Sequence, residues 1–394
     1  MFNENMVIVS AARTAIGKYG GSLSRSSASE TGAIAIREAV ARAGLEPSDI
    51  DEAVMGCVGT IAEDAYCARL CAIKAGLPAE SAALTVNRLC ASGLQAIITA
   101  AMEIDSGLAD ICVAGGTENM SNYPFYLRKA RWGYGMGHSE LEDGLITALS
   151  DPFSHEHMGV TAENIAAKYQ ISRQRQDEFA YKSQAKTKLA IESGLFKEDI
   201  VPVTIKISKK EEKVFTEDEF PRFDTSLEKL ASLRPAFRPD GSVTAGNSSG
   251  INDAAAAVVV MKQAKARDRS IDPLAIIRDA AVAGVEPSLM GTGPIPAVRK
   301  LLARTGLDIA DIGLIELNEA FAAQSLACID ELGLDENRVN VNGGAIALGH
   351  PIGASGCIIT IKLISEMRRR GVRFGISTLC IGGGQGLAVL FELP

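Results

Sequence analysis

This 394-residue chain repeats itself. The segment "GLEPSDIDEAVM" (44–55) returns as "GLDIADIGLIEL" (306–317), an offset of 262 positions, and "ASGLQAI" (91–97) returns as "ASGCIIT" (354–360), an offset of 263. Two separate stretches that agree to within one residue point to two similar halves stacked on a shared core. "ICVAGG" (111–116) and "LCIGGG" (379–384) add a looser third match. Residues 121–240 have no counterpart, and they hold the only tryptophan, Trp132, three of the four histidines and the charged run "ISKKEEKVFTEDEF". The expected organisation is a first half from 1–120 plus 241–270, an inserted loop domain at 121–240, and a second half at 271–394.

Inside each half, strand and helix patterns alternate. "MVIVSAA" (6–12) reads as a buried strand, and "SETGAIAIREAVARAG" (29–44) as a helix capped by Ser29 and ended by Gly44. "EAVMGCV" and "ALTVN" read as strands. "SGLQAIITAAMEIDSG" (92–107) reads as a helix with Leu94, Ile97, Ile98 and Ala101 on one face, followed by the strand "ADICVAGG". The second half keeps this style, from the strand "PLAIIRDAAVAG" and the helix "PIPAVRKLLARTGL" to "IGLIELN", the helix "EAFAAQSLACIDELG", a helix over about 355–370 and two final strands around a glycine turn. This alternation predicts packed α/β layers. An aromatic content of only 5% argues against an aromatic-rich β-sandwich.

A formal net charge of −8 disfavours nucleic-acid and anionic-membrane partners, but not a small anionic ligand met by a local cation. The eight cysteines contain no CxxC pair, which in a chain this long reads as reduced intracellular thiols. No basic start followed by an apolar run, no membrane-length apolar stretch and no peroxisomal ending is present, so a cytoplasmic location is expected.

Cys90 stands where a short strand gives way to an apolar helix, and unpaired N–H groups at a helix start favour a thiolate. Taken alone, such a cysteine is more often a small core residue. The repeat changes that weighing, because the equivalent place in the second half is the loop of His350. A pseudo-twofold axis would set a cysteine against a histidine, as nucleophilic catalysis requires. The loop "NGGAIALGHP" resembles a phosphate loop in its glycines but has His350 where lysine is required, and no GxGxxG occurs. Cys380 precedes the glycines of "IGGGQG", which expose N–H groups or simply turn a hairpin. Asn318 reads locally as a helix N-cap. His155 and His157 lack a third ligand nearby, so no metal site is expected.

Eight motifs lie in one order along the chain: "NRLCASGLQAI", "GGTENMS", "HMGVTAENIA", "LRPAF", "TAGNSSGIND", "NEAFAAQ", "GGAIALGHPIGASG" and "CIGGGQG". Together they resemble those of the thiolases over the whole length. The resemblance implies a duplicated fold with two βαβ-rich halves in a five-layer αβαβα sandwich and an inserted loop domain that binds coenzyme A. It implies Cys90 as the acyl-carrying nucleophile, His350 as its base and Cys380 as the acid/base at the α-carbon. Asn318 would hold a water that, with His350, binds the thioester oxygen of the second substrate, and the N–H groups of Cys90 and Gly382 would form the other oxyanion hole. "HMG" at 157–159 resembles the biosynthetic type, which joins two acetyl-CoA molecules into acetoacetyl-CoA and CoA. His157, Met158 and Phe321 would line the acyl or pantetheine end, with Ser249 at the pantetheine and Arg222, in the loop domain, contacting coenzyme A. The resemblance further implies no tightly bound cofactor, coenzyme A and its thioesters as substrates, and a homotetramer.

Two departures, Ala91 after the nucleophile and Ala254 in "GINDAA", leave acyl length open, so a broader 3-ketoacyl-CoA thiolase is the alternative. A ketoacyl synthase would lack a second reactive cysteine such as Cys380. A non-catalytic acyl-CoA-binding relative would lack one of Cys90, Asn318, His350 and Cys380, and all four are present.

Overall fold

The computed structural model describes residues 3–206, 208 and 211–394; part of the charged run at 207–220 therefore lies outside the described residues. Nine strands form one continuous path: β1 (Met6–Thr14), β2 (Glu52–Gly56), β3 (Ala82–Val86), β4 (Ile111–Asn119), β5 (Asn252–Lys262), β6 (Ala275–Gly284), β7 (Leu314–Leu317), β8 (Phe374–Ile381) and β9 (Gln385–Glu392). Their order is β7-β8-β9-β6-β1-β5-β4-β2-β3. From β1 outward, β1–β5 and β5–β4 are antiparallel while β4–β2 and β2–β3 are parallel. From β6 outward the same senses return: β6–β9 and β9–β8 antiparallel, β8–β7 parallel, then a parallel bridge from Ile315 to Val339 where a counterpart of β3 would stand. The halves meet edge to edge through the antiparallel pair β1–β6, with Met6 opposite Ile277 and Ile8 opposite Ala275.

The ladder register also corrects one sequence match. Glu52 pairs with Cys112 and Leu314 with Gly375, so offsets of 262 and 263 carry the first pair onto the second. The counterpart of 111–116 is therefore 374–379, and the likeness of "ICVAGG" to "LCIGGG" lies five positions out of register. Glycine and small apolar residues recur at strand ends for local reasons, and a six-residue match cannot separate those from descent.

The helices fall into three layers. α1 (Ala28–Arg42) and α2 (Cys67–Ala75) cover one half-sheet, and α3 (Ser92–Ser106) lies on its inner face. α4 (Met158–Lys168) and α5 (Arg173–Glu192) belong to the segment without a repeat. In the second half α6 (Pro294–Thr305) and α7 (Ala322–Leu332) lie outside, and α8 (Ile352–Arg370) packs inside against α3. Successive residues of β5 alternate between cores: Val258 and Val260 join the inner one, Val259 and Met261 the outer one under α1 and α2. A strand buried on both faces carries no polar alternation, which is why it reads as an unbroken apolar run.

Helix α1 starts two residues earlier than the sequence suggests. Its N-cap is Ser27, which accepts from the Glu30 N–H while the Glu30 carboxylate accepts from the Ser27 N–H. Ser29 is buried in the first turn, where its hydroxyl meets Lys74 at 3.0 Å. The reciprocal bond with glutamate decides between two serines two residues apart.

The unrepeated segment is pinned to the first half by a buried ion pair. The Arg13 guanidinium, on β1, binds both oxygens of Asp218 at 2.7 and 2.9 Å, and the Ile16 N–H donates to the same carboxylate.

The two central helices cross at glycines related by the repeat, Gly93 and Gly356. A Cβ on Gly93 would lie 2.9 Å from the Cys357 nitrogen and the Gly353 oxygen; one on Gly356 would lie 2.4 Å from the Leu94 nitrogen. These obstacles are backbone atoms, which cannot swing aside. Gly356→Ala is expected to destabilise the protein by about 1–3 kcal/mol through overpacking, read as a lower denaturant midpoint. An unchanged midpoint would mean that the helices have room to part.

Candidate active site

The helix crossing brings two loops to one end of the inner layer. In the first half the chain leaves β3 through Leu89, a non-glycine residue at φ +46°, and makes a tight turn over Leu89–Ala91 into α3. Ser92 ties this strained turn down by accepting from the Arg88 N–H (2.9 Å) and donating to the Leu89 carbonyl (2.7 Å). Cys90 is thus held at the start of α3, partly exposed.

Ser355, the repeat counterpart of Ser92, does related work for His350. Its hydroxyl donates to the Pro351 carbonyl (2.9 Å) and lies 2.6 Å from His350 Nδ1. With the serine proton committed to a carbonyl, Nδ1 carries the ring N–H and Nε2 keeps its lone pair. The Asn318 side-chain amide sits 3.4 Å from that Nε2, and the Asn318 Oδ1 is buried with no partner among the described residues. Asn318 is not the N-cap of α7; Phe321 occupies that place, because the chain runs four residues beyond β7 before turning helical. The His350 backbone N–H donates to Asn252 Oδ1 (2.9 Å), and Asn252 in turn donates to the Gly17 carbonyl (3.0 Å). Gly349, at φ +106°, permits this contact: a Cβ there would lie 2.3 Å from the Asn252 side chain.

Two buried carboxylates hold the loops in register. Glu118, at the end of β4, accepts from the N–H groups of Val58, Gly59 and Gly353 and from the Tyr123 hydroxyl, so it joins the first half to the start of α8. Glu319, beside Asn318, accepts from Ser183, Asn340 and the Ile346 N–H and so anchors the loop that leads to His350. The sequence reading assigned no role to Asn252, Ser355, Glu118 or Glu319. Ser355 was within its reach through the repeat; the others depend on which backbone N–H groups the fold leaves unpaired.

A cavity of about 690 Å³ opens above these loops. Of the ten residues singled out from sequence, Cys90, His350, Gly382, His157, Met158, Arg222, Ser249 and Phe321 line it. Cys380 and Asn318 do not. Cys380 is fully buried in an apolar cluster with Met290, Phe321 and Met158, and Asn318 lies behind His350. His157 caps α4 through Nδ1 and stacks on Phe237 with ring centroids 4.8 Å apart. The Ser249 N–H donates to the Ala320 carbonyl. Among the described residues no group of three or more His, Cys, Asp or Glu is arranged to hold a metal ion.

The electrostatics reverse one sequence expectation. Burial pushes the Cys90 thiol up to about 11, although N–H donation from Gly382 and from Cys90 itself opposes it. The helix start supplies donors, yet desolvation outweighs them, so the resting nucleophile is a thiol. Burial likewise pushes Cys380 well above the ordinary thiol range, with the nearby Cys90 adding to the rise. Burial drives His350 down to about 4, so its imidazole is neutral at physiological pH. The three reacting groups therefore rest uncharged, with one proton acceptor, Nε2 of His350, and two thiols to serve.

A pseudo-symmetric α/β pair that sets a cysteine at one helix start against a histidine before the other is the architecture of acyl-transferring enzymes. The comparisons narrow it. Residues 6–264 match the thiolase N-terminal domain and residues 271–393 the thiolase C-terminal domain. The acetyl-CoA acetyltransferase of Syntrophomonas wolfei is 52% identical over 99% of each chain, and that of Cupriavidus necator is 50% identical over 98% of this chain and 99% of its own. The crystal structure of the Bacillus anthracis acetyl-CoA acetyltransferase superimposes with a TM-score of 0.98 at 47% identity, over 99% of both chains. The chain belongs to the thiolase family and is an acyltransferase.

A thiol that rests protonated predicts a particular reactivity profile. Alkylation of Cys90 by iodoacetamide, mapped by mass spectrometry, is expected to accelerate continuously from pH 7 to 9.5 as the thiolate fraction grows. A rate that levels off below pH 7 would contradict the burial-dominated site.

Proposed function

We propose that the protein is an acetyl-CoA C-acetyltransferase that reversibly condenses two acetyl-CoA molecules into acetoacetyl-CoA and CoA. The observation that carries this reading is that Cys90, His350 and Gly382 line one cavity, with Cys380 packed against its Phe321 and Met158 wall.

The neutral resting site sets the order of proton transfers. His350 Nε2 takes the Cys90 proton as the sulfur attacks the thioester carbonyl of the first acetyl-CoA. The N–H groups of Cys90 and Gly382 bind the oxyanion, and each such donor is typically worth about 2.7–4 kcal/mol of barrier. The CoA thiolate leaves with the proton of Cys380. The enzyme then holds an acetyl thioester on Cys90, an imidazolium at 350 and a thiolate at 380.

In the second half-reaction the Cys380 thiolate removes an α-proton from another acetyl-CoA. The enolate oxygen is held by the protonated His350 and by a water on Asn318. The enolate carbon attacks the acyl carbon, Cys90 departs as thiolate, and His350 returns its proton. All three groups end neutral, as they began, and thiolysis runs the same steps in reverse.

A short acyl group suits the bulk around Gly382, whose N–H donates to Cys90. A Cβ at Gly382 would already lie 3.2 Å from the Met158 methyl and 3.3 Å from a Leu89 methyl. Arg222 and Ser249 would meet the nucleotide and pantetheine portions of CoA. A homotetramer fits the exposed arm at 123–142, where Phe125 and Trp132 stand in solvent at 61% and 87% exposure. A cytoplasmic location fits eight cysteines that all remain free.

Because a thiolate can leave unprotonated, Cys380→Ser is expected to slow acetylation of Cys90, detected by mass, only modestly, while condensation falls by about 10²–10⁴-fold. Equal loss of both half-reactions would remove Cys380 from the α-proton step. Steady-state thiolysis is expected to favour acetoacetyl-CoA over 3-ketohexanoyl-CoA in kcat/KM, and the reverse preference would overturn the short-chain reading.

A further inference from the structure

The nucleotide of coenzyme A carries a diphosphate and a 3′-phosphate, and the reading above gives that polyanion one cation, Arg222. The cavity mouth holds another. Lys18 lines the same cavity, on a two-residue strand, Gly17–Lys18, paired with Asn252 and Asp253 at the start of β5. No ion pair engages the Lys18 ammonium or the Arg222 guanidinium among the described residues; Asp224, two residues from Arg222, is paired instead with Lys229 at 2.7 Å.

Among the described residues the one carboxylate lining the cavity, Glu219, is already hydrogen-bonded. It accepts from the backbone N–H groups of Lys18 and Ser22, each at 3.1 Å, and from the Ser22 hydroxyl at 3.0 Å. It therefore steadies the Lys18 backbone and leaves the Lys18 side chain free to meet an anion. In a chain of net charge −8, two cations outside any ion pair against one carboxylate leave this cavity a local exception to the prevailing sign.

We propose that Lys18, together with Arg222, forms a phosphate-binding pair for the nucleotide of the CoA thioester. Lys18 offers a compact point charge and Arg222 a planar fork, two complementary ways of meeting phosphate oxygens. The proposal rests on the CoA-thioester reading and deepens it. It also ties the anion site to the chemistry: Gly17, next to Lys18, accepts from Asn252, which accepts from the His350 N–H. A phosphate docked on Lys18 is thus one strand and one asparagine away from the base.

The test compares two substrates that differ only in the nucleotide, acetoacetyl-CoA and acetoacetyl-pantetheine. Lys18→Ala is expected to raise KM for acetoacetyl-CoA about fivefold or more, to leave kcat within about twofold, and to leave KM for the pantetheine thioester unchanged. KM for acetoacetyl-CoA is also expected to rise less steeply with ionic strength in the variant than in the parent. Lys18→Arg, which keeps the charge, is expected to restore most of the affinity. An unchanged KM for acetoacetyl-CoA in Lys18→Ala overturns the proposal, as does an equal rise with both thioesters. Turnover of acetoacetyl-pantetheine by the parent enzyme tests the thiolase reading separately, because that substrate makes no demand on Lys18.

Discussion

The close crossing of α3 and α8 is the contact on which the rest of the structure depends. Two glycines at equivalent positions let backbone meet backbone, and the loops before each helix are thereby brought to the same end of the inner layer. Neither loop is reactive alone: one supplies a sulfur, the other an imidazole. The Glu118 carboxylate then locks the arrangement from the side, because it accepts from Val58 and Gly59 in one half and from Gly353 in the other. The continuous sheet adds a second constraint, since β1 and β6 cannot slide without losing register.

The repeat made the architecture legible. Offsets of 262 and 263 located both central helices, and the equivalent strand senses on either side of β1 and β6 follow from one duplicated module. Cavity-facing residues such as Cys90, His350 and Phe321 were readable because they sit in quoted motifs. The parts that were not readable share a physical character. Whether Ser27 or Ser29 caps a helix depends on which one glutamate can reach back to. The place of Asn318 beside His350 depends on how far the chain runs on after β7 before its next helix. The protonation of Cys90 depends on a balance between helix-start donors and burial, and sequence displays only the donors.

Duplication also explains how one scaffold performs two different tasks. Ser92 and Ser355 occupy the same place in their halves, yet Ser92 braces a strained turn while Ser355 selects the tautomer of a base. Gly353 is the counterpart of Cys90, and Asn87 that of His350, so each half carries its reactive residue at a different point of the same loop. Two-sided burial lets this divergence persist, since the helices are held by packing that does not depend on what the loops contain.

The inner wall of the cavity has a consequence for timing. Met158 and Phe321 line the cavity onto which Cys90 opens, and the second thiol lies sealed in the cluster behind them. In the acetylated enzyme His350 is already protonated, so the buried Cys380 thiolate is the one reacting group left to activate a stray water molecule. Leakage by hydrolysis is slowed, and the half-loaded enzyme can wait at low metabolite concentration until its next substrate arrives. Patience, in this molecule, is a property of its hydrocarbon lining.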